Sequence, residues 1–363
     1  MALTLRLHKA SSPTNSDEAS RRAFWVLYHL DKHYHFQARN SPLIADYDVS
    51  CPIPDIPEAI FGEYDWFRAS IQFSRILSIT YETVFCMSAS RKPSNVLLAS
   101  VGCIEGLLED WRQSISANFR PREPVQKTIF RDPRTKNPAI RTHFYYYHLV
   151  IALERLNLRL APQGRREESK RNLINAARSV VEITSFIDVE AFTPIFILAI
   201  IPLSALLLLF DFVVENPHHP ETPRNLVLLD VVSGHFSLLE HASNGSLPGS
   251  YLTEFAHIAR AFVASLPSDA APQPESTNNV TGMTANAIPG TIPSNGVAAS
   301  SLSGHEPNHS AAETLAGIDQ YDADLESSHY PSSDAVFGGF DNPLWNGADF
   351  WPFLDSFMPG HPY

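Results

Sequence analysis

His29 and His33 stand four residues apart, a spacing that sets two imidazoles on one side of a helix within reach of a common metal ion, and His35 follows closely. No third ligand stands at a matching interval, so these read as packed or exposed histidines, and His218-His219, between prolines and asparagine, as a solvated turn. Three cysteines, Cys51, Cys86 and Cys103, are spread without a CxxC pair. Neither a thiolate zinc site nor a disulfide framework is expected, and the setting is reducing and intracellular. No nucleophile elbow, phosphate-cradling glycine loop, zinc-protease helix or credible carboxylate pair is present, so no catalytic residue is assigned and the chain does not read as an enzyme. An enzyme without a recognisable motif is the residual alternative.

Asp31 ends the segment RRAFWVLYHLD at 21–31, in which Phe24, Leu27, Tyr28 and Asp31 share one helical face. A lone carboxylate in an apolar stripe reads as a buried group hydrogen-bonded to a loop rather than as a catalytic or ligand-sensing acid. Basic residues cluster at Arg21-Arg22, at Arg131, Arg134 and Lys136, and at Arg165-Arg166 with Lys170 and Arg171. A DNA-binding surface is net positive, yet the residues up to Arg260 hold as many acids as bases, so these clusters read as solvated faces.

After Arg260 the chain contains no Lys or Arg, and the twelve acids from Asp269 to Asp355 supply the whole net charge of −12. The charge split divides the sequence into a packing body at 1–266, a Pro/Ser/Ala/Asn linker at 267–333 and an acidic-aromatic segment at 334–363. The linker composition cannot bury enough apolar surface to offset its ordering entropy and is expected to be disordered. In the last segment Phe350, Trp351, Phe353, Leu354 and Phe357 interleave with Asp349 and Asp355, as in activation domains whose acids keep aromatic side chains accessible to a coactivator groove. Pro352 argues against a continuous helix there, and docking of the segment back on the body is the alternative.

The elements that must position these residues are helical. Trp66, Ser70, Phe73, Leu77, Tyr81 and Val84 recur every three or four positions within 64–87, and similar stripes run at 93–116, 144–160, 173–187 and 251–266. Loops are expected at 41–57, 120–138 and 216–224, where proline and asparagine gather. The fold class is therefore all-α, a large helical domain followed by a disordered acidic tail. Ala191 to Phe210 is twenty residues without a charge, long enough to span a bilayer. Pro194 and Pro202 interrupt it and acids flank it, which favours a buried helix over a membrane anchor.

The 21–31 segment resembles the signature of the fungal-specific transcription factor domain, the regulatory middle region of fungal binuclear zinc-cluster activators. Arg21, Arg22, Phe24, Trp25 and Asp31 carry that likeness, after a Leu7-His8-Lys9 stretch and before a loop with Pro42, Asp46, Asp48, Val49 and Pro52. Leu107 and Trp111, and the run from Leu206 to Asp230, are similar to later helices of the same domain. The resemblance implies an N-terminally incomplete regulatory domain, a nuclear location and control of RNA polymerase II genes, including those of metabolic clusters. It also implies transcription machinery or a coactivator as the tail's partner, homo- or heterodimerisation, and no membrane. The family's six-cysteine zinc cluster has no counterpart here, so no cofactor is expected, and DNA is expected to be reached indirectly or through an upstream domain.

Overall fold

Apolar residues at three- and four-residue spacing become helix after helix in a computed structural model that describes residues 3–10, 18–247 and 249–266. In chain order these are α1 (Glu18–Gln37), α2 (Trp66–Thr80), α3 (Ser94–Ser114), α4 (Lys127–Arg131), α5 (Lys136–Leu160), α6 (Gln163–Thr184), α7 (Ile201–Glu215), α8 (Thr222–Ala242) and α9 (Ser250–Ser265). The body is all-α apart from a short hairpin in which Ile60–Phe61 pairs antiparallel with Tyr64–Asp65. Gly62 makes its turn at φ +64°, a left-handed conformation that favours glycine. Asp65 then caps α2 by accepting a hydrogen bond from the Arg68 amide at 3.0 Å. The expected linker at 267–333 and acidic-aromatic segment at 334–363 lie outside the described residues.

Consecutive helices pack on one another from α5 to α9, while α1, α2 and α3 form a second run that meets α5. The main core is continuous across α2, α3 and α5 to α9; a smaller cluster under α1 gathers Leu7, Phe24, Trp25, Tyr28, Ile44, Cys51, Ile56, Phe67 and Ile71. Polar bonds add to this packing within and between the runs. Trp111 Nε1–H of α3 donates to the Ala69 carbonyl of α2 at 2.9 Å, and the hydroxyls of Tyr64 and Thr142 meet at 2.7 Å. Between α6 and α8, the buried Arg178 guanidinium binds both carboxylate oxygens of Glu221, at 3.1 and 2.8 Å, and Asn225 Oδ1 at 2.8 Å. At the start of α9, Gly249 lies so close to α8 that a Cβ there would stand 2.1 Å from the Phe236 carbonyl oxygen.

The helix boundaries differ from the sequence expectation where polar residues lead. Helix α5 begins at Lys136, inside the expected 120–138 loop, and α6 begins at Gln163, ten residues before the Leu173 stripe. The opening turns of α6 are QGRREESKRN, in which Gln, Arg, Glu and Lys favour a helix but no apolar period betrays it. On α1 the buried face consists of Phe24, Trp25, Tyr28, His29, Lys32, His33 and Phe36, whereas Leu27 is 45% exposed. The stripe is rotated from the expected one because α1 is covered by a loop on one side and by α2 and α5 on the other.

The apolar run at 191–210 is not a helix throughout. A turn holds Ala191 to Thr193, a π turn spans Phe196–Ile200, and the helix then continues through α7 to Glu215. Phe196–Glu215 is long and apolar enough to cross a membrane, yet its most apolar window is 78% buried, and α7 packs against α6, α8 and α9. It is the core helix of this body. Within it Pro202 has no N–H to give the Leu198 carbonyl four residues back, and at this point the helix is widened. His235 of α8 supplies a donor instead, its Nε2 lying 2.7 Å from Leu198 O. A carbonyl only accepts, so Nε2 carries the proton.

Candidate functional site

Four side chains on successive turns of α1 hold the loop that follows it. Trp25 Nε1–H donates to the Pro52 carbonyl at 2.9 Å, and the Tyr28 hydroxyl donates to Asp46 Oδ1 at 2.8 Å. Lys32, only 1% exposed, puts its ammonium between the Ile44 carbonyl, Ser78 Oγ and Asp46 Oδ1. Asp31 accepts from the backbone amides of Leu43 at 3.0 Å and Ile44 at 3.1 Å. The N-terminal segment seals the loop from outside: the His8 carbonyl accepts from the Ser50 and Cys51 amides at 2.9 and 3.0 Å, and Lys9 pairs with Asp48. The Ile44 and Pro52 carbonyls and the Leu43 and Ile44 amides would lose these partners if the helix were lifted away, which is a physical reason for these residue types at these positions.

The five signature positions therefore do different work. Phe24 and Trp25 are fully buried, Asp31 binds the loop backbone, and Arg22 pairs with Glu18 at 3.0 Å and with Glu58. Arg21 is half-buried. The Asp31 side chain is 8% exposed and lies 3.0 Å from His35 Nδ1. Asp31→Ala is expected to cost about 1–3 kcal/mol by orphaning two amides, read as a lowered melting temperature. An unchanged temperature would place the carboxylate in solvent. Lys32, the most deeply buried charge of the clasp, has no signal in the sequence beyond lying one turn after Tyr28.

His29 and His33 come together, but in the core. Their rings are 4.2 Å apart; His29 contacts Ser74 Oγ at 3.0 Å, and His33 stacks between Phe73, Tyr145 and Phe196. Burial pushes the His29 imidazole down to about 4, assisted by the Arg141 charge, and holds His33 well below its ordinary value. Neutral and packed, they join no metal-binding group of three among the described residues. Each basic cluster has members paired with acids: Arg22 as above, Lys136 to Asp188 at 2.5 Å, Arg165 to Glu105 at 2.7 Å and Lys170 to Glu167 at 3.2 Å. All three cysteines are free thiols.

A concave site lies elsewhere, between α3, α5 and α6. It is a cleft of about 460 Å³ whose lining includes Glu105, Glu154, Arg165, Asn172, Tyr146 and Leu153. Arg122, at φ 69°, stands at its edge in the loop before α4, with its amide donating to the Tyr147 hydroxyl at 3.1 Å. The expected contact residues Phe350, Trp351, Phe353, Leu354 and Phe357 lie outside the described residues.

No family model matches the chain, and no solved structure matches it. Curated relatives do. The chain is similar to fungal transcription factors. It is 26% identical over 277 residues to an ABC-transporter-regulating transcription factor of Aspergillus oryzae, covering 67% of this chain and 31% of that protein. The same identity and coverages hold for the ABC-transporter-regulating transcription factor of Aspergillus fumigatus. The fumonisin cluster-specific transcription factor FUM21 of Gibberella moniliformis is 29% identical over 127 residues, 31% of this chain and 19% of that protein. The chain thus spans about a third of the length of the two Aspergillus relatives.

Proposed function

We propose that this chain is a transcriptional regulator of RNA polymerase II genes in a fungus, with a helical regulatory body and an acidic-aromatic activation segment. The observation that carries the reading is similarity to two Aspergillus transcription factors over 277 aligned residues. In this reading the clasp formed by Trp25, Tyr28, Asp31 and Lys32 is the fungal-specific transcription factor signature, whose work is to fix the first helix on its loop. Control of a metabolic gene cluster is supported by the name of the Gibberella relative.

The protein acts in the nucleus, is not an enzyme and needs no cofactor within these residues. Its body has equal numbers of acids and bases, so DNA is engaged indirectly or through an upstream zinc-cluster domain. Dimerisation through the body, with itself or a related regulator, is part of the reading. It is supported by Val227, Val231 and Leu238, exposed on α8 at near-heptad spacing.

The tail is the activating part, and transcription machinery or a coactivator is its partner. Residues 330–363 fused to an unrelated DNA-binding domain should raise expression of a linked reporter several-fold. Replacing Trp351 and Phe353 together by alanine should remove the gain. No gain, or a gain indifferent to the double substitution, would defeat the activation claim.

A further inference from the structure

Helix α1 is apolar on its outer side as well as its inner one. Polar His29, Lys32 and His33 point inward, while Val26, Leu27, Leu30 and Tyr34, three or four positions apart, stand outward at 38–48% exposure. None of the exposed residues from Ala23 to Tyr34 is charged. A surface helix ordinarily turns charged and polar side chains to solvent, so an outer stripe of this kind marks a face that another segment covers. At its border stands Arg141 of α5. The Arg141 charge reaches His29 and His33, which lie one turn along α1 from Val26 and Leu30, and the side chain is half-buried with no acid paired to it among the described residues.

The stripe is about 17 Å long and about 10 Å across, one helix diameter. That is well short of the roughly 800 Å² that each partner gives to a standard interface, so two copies paired along it would hold weakly, whereas a short peptide fits. The occupant must also bring an anion to Arg141. The acidic-aromatic segment offers both: Trp351, Phe353 and Leu354 lie between Asp349 and Asp355, and no Lys or Arg follows Arg260 to oppose the contact. Its tether is long enough, since a coil the length of 267–333 averages about 45 Å from end to end and a body of this size has a radius of gyration of about 18 Å. The exposed stripe of α8 lacks a free cation, because Arg224 on that helix and Arg260 beside it are already paired with Glu182 and Asp230. We propose that the outer face of α1 binds the segment 348–357 of the same chain, its aromatic side chains on Val26, Leu30 and Tyr34 and a carboxylate, of Asp349 or Asp355, on Arg141. The contact follows from the segment's chemistry and rests on the transcriptional reading only for its consequence, which is that a docked segment is withheld from a coactivator.

The test follows binding of a fluorescently labelled peptide of residues 345–363 to the full chain by anisotropy. In the unaltered chain its own segment competes, so the peptide should bind at least about tenfold more weakly than to a full chain carrying Trp351→Ala, Phe353→Ala and Phe357→Ala, whose site is left open. In that open chain Leu30→Glu should remove at least about tenfold of the peptide's affinity, and Arg141→Gln at least about threefold. No saturable binding to the open chain, equal binding to the unaltered chain, or full affinity after either surface substitution overturns the proposal. An unaltered chain that sediments as a dimer and dissociates on Leu30→Glu would name a second copy as the occupant and overturn it equally. Should Leu30→Glu fail to fold, Arg141→Gln decides alone. No transcription enters the measurement, so its failure leaves the reporter result standing, and failure of the reporter leaves the docking result standing.

Discussion

Trp25→Ala is expected to lower the unfolding free energy of the body by about 3–5 kcal/mol, the range for deleting a fully buried aromatic side chain. The ring is 0% exposed and makes edge contacts with Phe24 at 5.2 Å and Tyr28 at 5.0 Å between centroids, with the Arg75 guanidinium 5.5 Å away over its face. Its Nε1–H is also the donor to the Pro52 carbonyl. Alanine removes both, leaving a void in the smaller cluster and an acceptor without a partner. That cluster rests on loop residues such as Ile44, Cys51 and Ile56, so the loss should spread to the whole 43–56 segment rather than stay at one position. Trp25→Phe separates the terms, because it restores most of the apolar volume but not the hydrogen bond, and it should recover part of the loss. Denaturant unfolding of the three proteins measures this, and a loss below about 1 kcal/mol for alanine would mean that the clasp does not fix α1.

Acidification from pH 6.5 to about 4 is the second large effect. His29 and His143 are pushed down to about 4, in each case chiefly by burial, and His33 is lowered well below its ordinary value by burial and by neighbouring His29, His148 and Arg141. In the unfolded chain these rings take up protons near pH 6.5, while in the folded chain they stay neutral, so the unfolded state binds more protons and stability falls as the pH falls through that window. Each unit of depression is worth about 1.4 kcal/mol, so three such rings weigh against a total stability of roughly 5–15 kcal/mol. Asp211 works in the opposite sense. Burial, then the neighbouring Glu215, raises its carboxyl to about 7, so the folded form holds a proton that the unfolded form releases, and this contribution grows as the pH falls from 7 to 3.8. His148, pushed down to about 3 by burial and by the Arg39 and Arg155 charges, and His235, lowered by burial, add to the three, and one acid against five imidazoles leaves a net loss. Denaturant midpoints at pH 7, 6 and 5 should decrease in that order, and His33→Phe, which keeps a ring between Phe73 and Phe196, should flatten the decline. A midpoint that is constant or rises on acidification would refute the account.

Helices whose apolar residues face one core were legible in the sequence. Helices α2 and α3 lie within the stretches that carry their stripes, because Phe73, Leu77, Val101, Ile104 and Leu108 are buried at helical spacing. The opening of α6 was not, since it is polar and held by propensity and by pairs such as Arg165 with Glu105, whose partner is distant in sequence. The signature segment was legible as a helix, and Asp31 as a carboxylate bound to a loop. Its true buried face was not, because His29, Lys32 and His33 are polar types that a pattern of apolar residues passes over; their burial depends on Ser74, Ser78, Tyr145 and the Ile44 carbonyl. The cleft was invisible for a related reason. It is made where three helices fail to close, and its polar lining belongs to Glu105, Glu154, Arg165 and Asn172, each ordinary in its own stretch of sequence.

The bond from His235 to the Leu198 carbonyl makes the winding of one helix depend on the position of another. In a regular helix each turn is closed by hydrogen bonds of its own backbone. Here Pro202 has handed one closure to a side chain of α8, so withdrawing α8 would leave the turn of α7 at its proline open as well. The two helices are in this sense one cooperative unit: local opening events that release α8 should carry the widened turn with them, and the most apolar segment of the chain cannot become solvent-accessible by itself.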